Sequence, residues 1–192
     1  GAAIDQITKS YTMTVTKEAY EKTQRSGFVY DFTFPIKKPG AYQLRVALRD
    51  QGSGKVGSAN QFVEVPDLKK NRLTVSGVVL ENIPYDLWEK REATGNGSAV
   101  GESNPLSDTS LRQFKRGTVI NYGFTIFNAK SSAGKPPSLR SQLTLFFEGK
   151  PIFVGKPQPI VPKAGADLKA IPHASSLSLA TKMAAGEYVL QI

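Results

Sequence analysis

A short phrase occurs twice in this 192-residue chain, as Pro39-Gly40-Ala41-Tyr42-Gln43-Leu44-Arg45-Val46 and as Ala185-Gly186-Glu187-Tyr188-Val189-Leu190-Gln191-Ile192. Side chains alternate across a strand, so Tyr42, Leu44 and Val46 share one face, as do Tyr188, Leu190 and Ile192. A Gly-x-Tyr-x-Leu run suits the corner where a β-sandwich chain turns into its penultimate strand, the buried Tyr keeping its hydroxyl for a backbone partner. A further hairpin strand follows the first copy and none follows the second. Two related β units are therefore expected, the second lacking its last strand.

Alternation elsewhere fills in the units. Tyr11 to Val15 and Phe28 to Phe34 read as strands. Between them Thr16 is placed to cap a short helix over residues 17–25, with Gly27 available to end it in a left-handed conformation. Pro35 to Gly40 delivers the chain into a strand from Tyr42 to Arg49, Asp50 to Lys55 turns it back, and Val56 to Val65 returns until Pro66 stops the ladder. A meander of three strands, 28–34, 42–49 and 56–65, follows from this reading. Further strands are expected at Leu73 to Leu80, Val119 to Phe127, Leu139 to Glu148, Ile152 to Val154 and Leu177 to Ala180, with Glu148-Gly149-Lys150-Pro151 a tight turn. The expected fold is mostly β: two tandem immunoglobulin-like or fibronectin III-like β-sandwich domains, with one short helix in the first. Residues 1–66 form a partial domain, 67–72 a polar linker, and 73–192 the second domain.

Between Asn82 and Asp108 the pattern dissolves into Gly, Ser, Asn, Asp and Pro, and Thr94 to Ser98 is its most flexible point. A structureless stretch of that length points to a binding loop or an insertion. It holds Tyr85 and Trp88, the chain's single Trp, an aromatic pair that either covers the core edge or meets a partner.

Chemistry is sparse. With no cysteine, thiolate metal sites, disulfides and thiol catalysis are excluded. The single His173 follows Pro172 in an expected loop, where a surface imidazole is the simplest reading, and one His without Cys leaves zinc only carboxylates. Gly52-Ser53-Gly54-Lys55-Val56-Gly57 has Arg49 where a phosphate loop needs Gly and Val56 where it needs Ser or Thr, so a hairpin turn is the better reading. Asp108-Thr109-Ser110 lacks the spaced hydroxyls and preceding strand of a metal-dependent adhesion site, and Asn96-Gly97-Ser98 fits the common glycosylation pattern. No catalytic residue, cofactor or metal site is expected. A carboxylate-based hydrolase using the Asp and Glu residues of 82–108 is the one enzymatic alternative, since active sites favour long loops.

The balance of 25 Lys and Arg against 16 Asp and Glu gives a net charge of +9, an attraction for anionic glycans, lipid headgroups or nucleic acid. Three adjacent basic pairs, Lys37-Lys38, Lys69-Lys70 and Lys115-Arg116, sit at expected strand ends or the linker, not on one clustered face, which argues against a dedicated nucleic-acid binder. These six are the candidate anion contacts. No apolar run approaches the length of a membrane-spanning helix, and Gly1 to Asp5 lacks the features of a signal peptide; the short, strand-like beginning inside a pattern suggests a fragment of a longer chain.

The run Lys37 to Asp50, followed by Ser53 to Lys70, closely resembles the von Willebrand factor A-related proteins of acidobacteria. Arg112 to Asn128, Gly149 to Phe153 and Gly186 to Gln191 are similar to the later part of the same family. The resemblance covers most of the chain. In that family an A domain with a metal-dependent adhesion motif precedes this region and β-sandwich modules follow. Only the trailing modules are matched, so no adhesion-site residue is carried over. The resemblance implies an exported, periplasmic, cell-surface or extracellular location, and a family chain that continues past the second Tyr strand.

The functional expectation is a non-catalytic structural or protein-binding module, with no small-molecule substrate. An unfinished sandwich exposes the backbone of its Tyr188 strand and invites a strand from another chain or another copy, by strand exchange into a multimer or filament. Tyr188, Leu190 and Ile192 mark that candidate edge, and residues 1–10 are a candidate donor.

Overall fold

The computed structural model describes residues 3–26, 32–95, 112–131, 135–162 and 165–192. It divides into two compact units, Gly1–Lys69 and Lys70–Ile192.

In the first unit the helix α1 (Lys17–Ser26) starts where Thr16 caps it: the Thr16 hydroxyl accepts the Ala19 N–H at 3.3 Å and its carbonyl accepts the Tyr20 N–H at 2.9 Å. Glu18 in the first turn and Arg25 in the last complement the helix dipole. Strands β1 (Gly40–Arg49) and β2 (Val56–Val65) pair antiparallel along their whole length, from Gly40 opposite Val65 to Arg49 opposite Val56. Asp50 organises the turn between them: its carboxylate accepts the N–H groups of Gly52 and Ser53 and the Ser53 hydroxyl, while Gly54 takes a φ of +70°. Those bonds, the Ser53 hydroxyl first, hold the Asp50 carboxyl below its ordinary pKa. The Gly52 to Gly57 run is thus a hairpin turn and the start of β2.

The expected three-stranded meander is a two-stranded hairpin among the described residues. Tyr11 to Val15 and Phe32 to Phe34 lie in no strand, and Gly27 and Phe28 to Asp31 fall outside the described residues. Alternation measures fitness for a pleated surface, and becomes a strand only where a neighbouring ladder completes it. No described residue of this unit is buried. Leu68–Lys70 forms a single 3-10 turn inside the stretch read as a polar linker.

The second unit runs β3 (Thr74–Val75), β4 (Val79–Pro84), α2 (Tyr85–Ala93), β5 (Thr118–Phe127), β6 (Leu139–Ser141), β7 (Thr144–Phe147), β8 (Lys150–Val154), β9 (Gln158–Ile160), β10 (Ala170–Ser178) and β11 (Tyr188–Gln191). In one antiparallel sheet β5 is central, with β3 and β4 along one side and β10 along the other. In another β7 is central between β8 and β11, and β6 pairs with β9. The β7–β8 turn uses Glu148 and Gly149, both at positive φ (49° and 74°), the backbone that a two-residue hairpin requires.

Tyr122, Phe124 and Ile126 of β5 form one buried cluster with Leu143, Ile160 and Ile171, and Leu190 of β11 packs against it. Residues of both larger sheets thus share one apolar layer, a β-rich, sandwich-like arrangement. Two sequence expectations need correction here. Residues 82–95 are the end of β4 and α2, not a structureless loop, and β10 begins at Ala170, well before Leu177. Asp86 in the first turn of α2, Lys90 and Arg91 in the last, and Gly95 at φ +77° closing onto Glu92 are ordinary helix signals. Asn96 to Ser98 and Asp108 to Ser110 lie outside the described residues.

The twin phrases adopt one local structure. The Tyr42 hydroxyl donates to the Lys38 carbonyl at 2.7 Å, and the Tyr188 hydroxyl donates to the Ala184 carbonyl at 2.8 Å, each four residues upstream. Two residues before each Tyr, Gly40 and Gly186 take φ values of +148° and +159°, a region L side chains rarely enter. Tyr42, Leu44 and Val46 are half-buried between exposed neighbours, and Tyr188 and Leu190 repeat that pattern. The copies differ in their neighbour: the Phe147 ring lies 4.7 Å from that of Tyr188, and a Cβ on Gly186 would stand 2.7 Å from Phe147 Cε2.

Backbone strain and a ring clash therefore coincide at Gly186. Gly186→Ala is expected to destabilise the second unit by roughly 2–4 kcal/mol, against about 1 kcal/mol for Tyr188→Phe, which loses one hydrogen bond. Urea unfolding followed by Trp88 fluorescence measures both, and the reverse ranking would contradict this account of the corner.

Candidate interaction edge and buried network

The strand β11 is positioned by β7 alone: Tyr188 faces Phe147, Val189 faces Phe146, Leu190 faces Leu145 and Gln191 faces Thr144. Its other edge carries no strand among the described residues. Of the three candidate edge residues, Tyr188 and Leu190 turn inward and anchor the strand to the core, whereas Ile192 lies just past its end and is exposed. The outward side chains are Val189, 65 % exposed, and Gln191. What this edge presents is therefore its backbone, Val189 and Gln191.

The corner Tyr188 fixes where that edge begins. Bonding of its hydroxyl to Ala184 closes the approach to the strand, and Gly186 leaves room for the Phe147 ring. Across β7, β8 meets β7 with a bulge between Leu145 and Phe146, which increases local twist on the side away from β11.

A second constellation lies on the outer face of the β4–β5–β10 sheet. Glu81, Asn121 and Ser176 are direct cross-strand partners in one row, and α2 covers them. Glu81 is 2 % exposed and Asn121 fully buried. Trp88 Nε1 donates to Ser176 Oγ at 3.2 Å, Ser176 Oγ donates to Asn121 Oδ1 at 2.7 Å, and Asn121 Nδ2 donates to Glu81 Oε2 at 3.4 Å. Arg91 completes the ring by donating to both Glu81 oxygens, at 3.2 and 3.4 Å. Helix spacing puts Trp88 and Arg91 on one face of α2, so the helix grips the row at both ends. Buried polar groups are tolerated when each has a partner, and this ring supplies them.

Tyr85 and Trp88 thus part company. Their rings lie 5.6 Å apart, but Trp88 is half-buried over the sheet while Tyr85 is exposed. Sequence reasoning missed the network because its members are far apart in the chain. The signal available was Glu81 and Asn121 standing at one parity in two apolar strands.

The six basic residues are divided, Lys37, Lys38 and Lys69 in the first unit and Lys70, Lys115 and Arg116 in the second. Lys37 and Lys38 immediately precede the Tyr42 corner, and Arg116 donates to the Met183 carbonyl at 3.1 Å. Asp86, Glu89 and Glu92 of the expected loop are exposed on α2. His173 is not on a surface loop: it sits in β10, its ring centroid 5.1 Å from that of Phe124 and its Nε2 3.4 Å from Ser141 Oγ. Burial there pushes its pKa below the ordinary 6.5. Among the described residues no three His, Asp or Glu side chains gather where they could hold one ion, and no helix is long and apolar enough to cross a membrane.

Two outcomes follow. Arg91→Ala leaves the buried Glu81 carboxylate without its cation and is expected to cost about 1–3 kcal/mol; adding Glu81→Gln removes the orphaned charge, so the double variant should recover part of that loss in urea unfolding. For His173 the folded pKa lies below the unfolded one, so the unfolded chain takes up the proton first. Its contribution to stability is whole above about pH 6.5 and declines as pH falls toward the folded value. Because this is the single His, its NMR titration reads the folded pKa directly, and a midpoint at or above 6.5 would contradict the placement.

No protein-family model, curated protein or solved structure matches the chain.

Proposed function

We propose that the chain is a non-catalytic structural and protein-binding segment of an exported bacterial envelope or extracellular protein, made of immunoglobulin-like units and joined to its partner by β-strand addition at β11. The exported location follows from the resemblance to von Willebrand factor A-related proteins.

One observation carries the reading. Edge strands are ordinarily protected by charge, proline or brevity. Among the described edge strands, β1 has Arg45 and Arg49, β2 Glu64, β4 Pro84, β6 Arg140, β8 Lys150 and Pro151, β9 Pro159 and β10 Pro172, while β3 has two residues. The four-residue strand β11, Tyr-Val-Leu-Gln, carries neither a charge nor a proline. An unprotected edge next to a packed core is a template for another strand, with backbone hydrogen bonds giving affinity and alternate side chains giving specificity. The twin corners support the immunoglobulin-like assignment, because a Tyr bonding back to the backbone a few residues upstream marks the start of the penultimate strand in that fold.

Selection of displayed extended peptides on the intact chain tests the reading. Selected peptides should slow hydrogen exchange at residues 188–192, and Val189→Lys, which puts a charge on the edge, should weaken them about tenfold or more. Selections that protect other residues, or that yield no binder, would overturn it.

A further inference from the structure

A groove of about 480 Å³ opens between the entry to β3, the exit from β5 and the approach to β6. It lies wholly within the unit Lys70–Ile192, and its size suits a small molecule or a few residues of a peptide. Two cations line it, Arg72 and Lys130, and among the described residues no Asp or Glu does. Neither cation forms an ion pair with a described residue, so the groove carries uncompensated positive charge. Hydrogen bonds hold its walls in place. Asn128 Nδ2 donates to the Arg72 carbonyl at 3.3 Å, and the Thr74 hydroxyl donates to the same oxygen at 3.1 Å. The Asn128 N–H donates to the Lys169 carbonyl at 3.2 Å, and Thr74 stands opposite Phe127 in the β3–β5 ladder. Asn71 and Asn128 take φ values of 51° and 59°, left-handed conformations that Asn tolerates, where the chain enters β3 and leaves β5. The backbones that carry Arg72 and Lys130 are thus fastened together, and a ligand has little ordering to impose on them.

We propose that this groove binds an acidic peptide segment of a partner protein, a Glu or Asp carboxylate meeting Arg72 and Lys130 and an apolar neighbour meeting Leu73 and Leu139. The rest of the lining favours that class. Leu73, 60 % exposed, and the half-buried Leu139 add apolar surface to the groove. Asn71 and Ser138 add an amide and a hydroxyl, both able to bond a peptide backbone. A guanidinium can donate two parallel N–H···O bonds to a carboxylate, a geometry that a lone ammonium does not offer. No aromatic side chain lines the groove, so it lacks the stacking platform on which the bases of a single strand rest. Two cations are also few for a polyanion whose affinity is built from many phosphate contacts. The groove shares no residue with β11 or with the six basic residues of the adjacent pairs, and the proposal does not rest on strand addition.

The probe is a short peptide with a Leu-Glu core and both ends capped, titrated into the isotopically labelled intact chain at low salt. Amide shift changes are expected at residues 71–73, 128–130 and 138–139, with binding that weakens as salt is raised. Arg72→Gln on the chain, and separately Gln in place of the peptide's Glu, should each weaken binding about fivefold or more. Arg72→Lys, which keeps the charge and loses the fork, should recover only part of that loss. Arg72 is exposed, so its variants should keep the fold, and the Gln peptide tests the site on the unaltered chain. Equal binding of the Glu and Gln peptides, or no shift change in the groove, would overturn the proposal. Tighter binding of inorganic phosphate or of single-stranded DNA at the same amides would overturn the assignment to a peptide. Shift changes confined to residues 188–191 would refute the groove while leaving strand addition at β11 standing.

Discussion

A strand covered on both faces must meet two different packing demands with one alternating sequence, and β5 is that strand. Its even-numbered residues Tyr122, Phe124 and Ile126 enter the apolar layer, while Val119 and Asn121 face α2 and are fully buried. Gly123 follows Asn121 on the outer face. Both β4 and β10 take their register from this strand, so the position of every other element in its sheet depends on it. A one-residue slip would move Asn121 into the apolar layer and a large aromatic under the helix. The polar ring around Asn121 thus penalises the wrong register, and it does so through groups that are all partnered in the right one.

Local rules served where a structure is closed by its own sequence. The β1–β2 hairpin, the Thr16 cap and the paired corner tyrosines depend on residues within a few positions of each other, and all are recognisable in the chain. Failure came where a distant neighbour decides. Tyr11 to Val15 alternates as well as β1 does yet lies in no strand, because alternation cannot supply a ladder. The α2 helix was masked by the Gly- and Ser-rich run after it, although Asp86, Lys90 and Arg91 are distributed as a helix requires. His173 was misplaced because Pro172 suggests a loop, whereas β10 is an edge strand, where a proline is tolerated.

For the candidate site, the corner and the inward parity of Tyr188 and Leu190 were legible, but the significance of the edge was not. That significance is comparative: it depends on which of the strands end up at sheet edges, and pairing alone decides this. Once the pairing is known, the distribution of prolines and charges becomes informative, since the same residues that weaken a strand in isolation protect it at an edge.

The two units place the burden of stability differently. In the second, buried side chains from several strands form one layer, and burying a Leu, Ile or Phe side chain contributes about 1.5–3 kcal/mol each. In the first, no described residue is buried, and the β1–β2 hairpin depends on its ladder, the Asp50 turn and the half-buried row of Tyr42, Leu44 and Val46. A lone two-stranded hairpin is marginal in water. The same corner is thus used in two energetic settings: in the first unit it orders a hairpin whose inward face is only half covered, and in the second it fixes the last paired strand of a packed body.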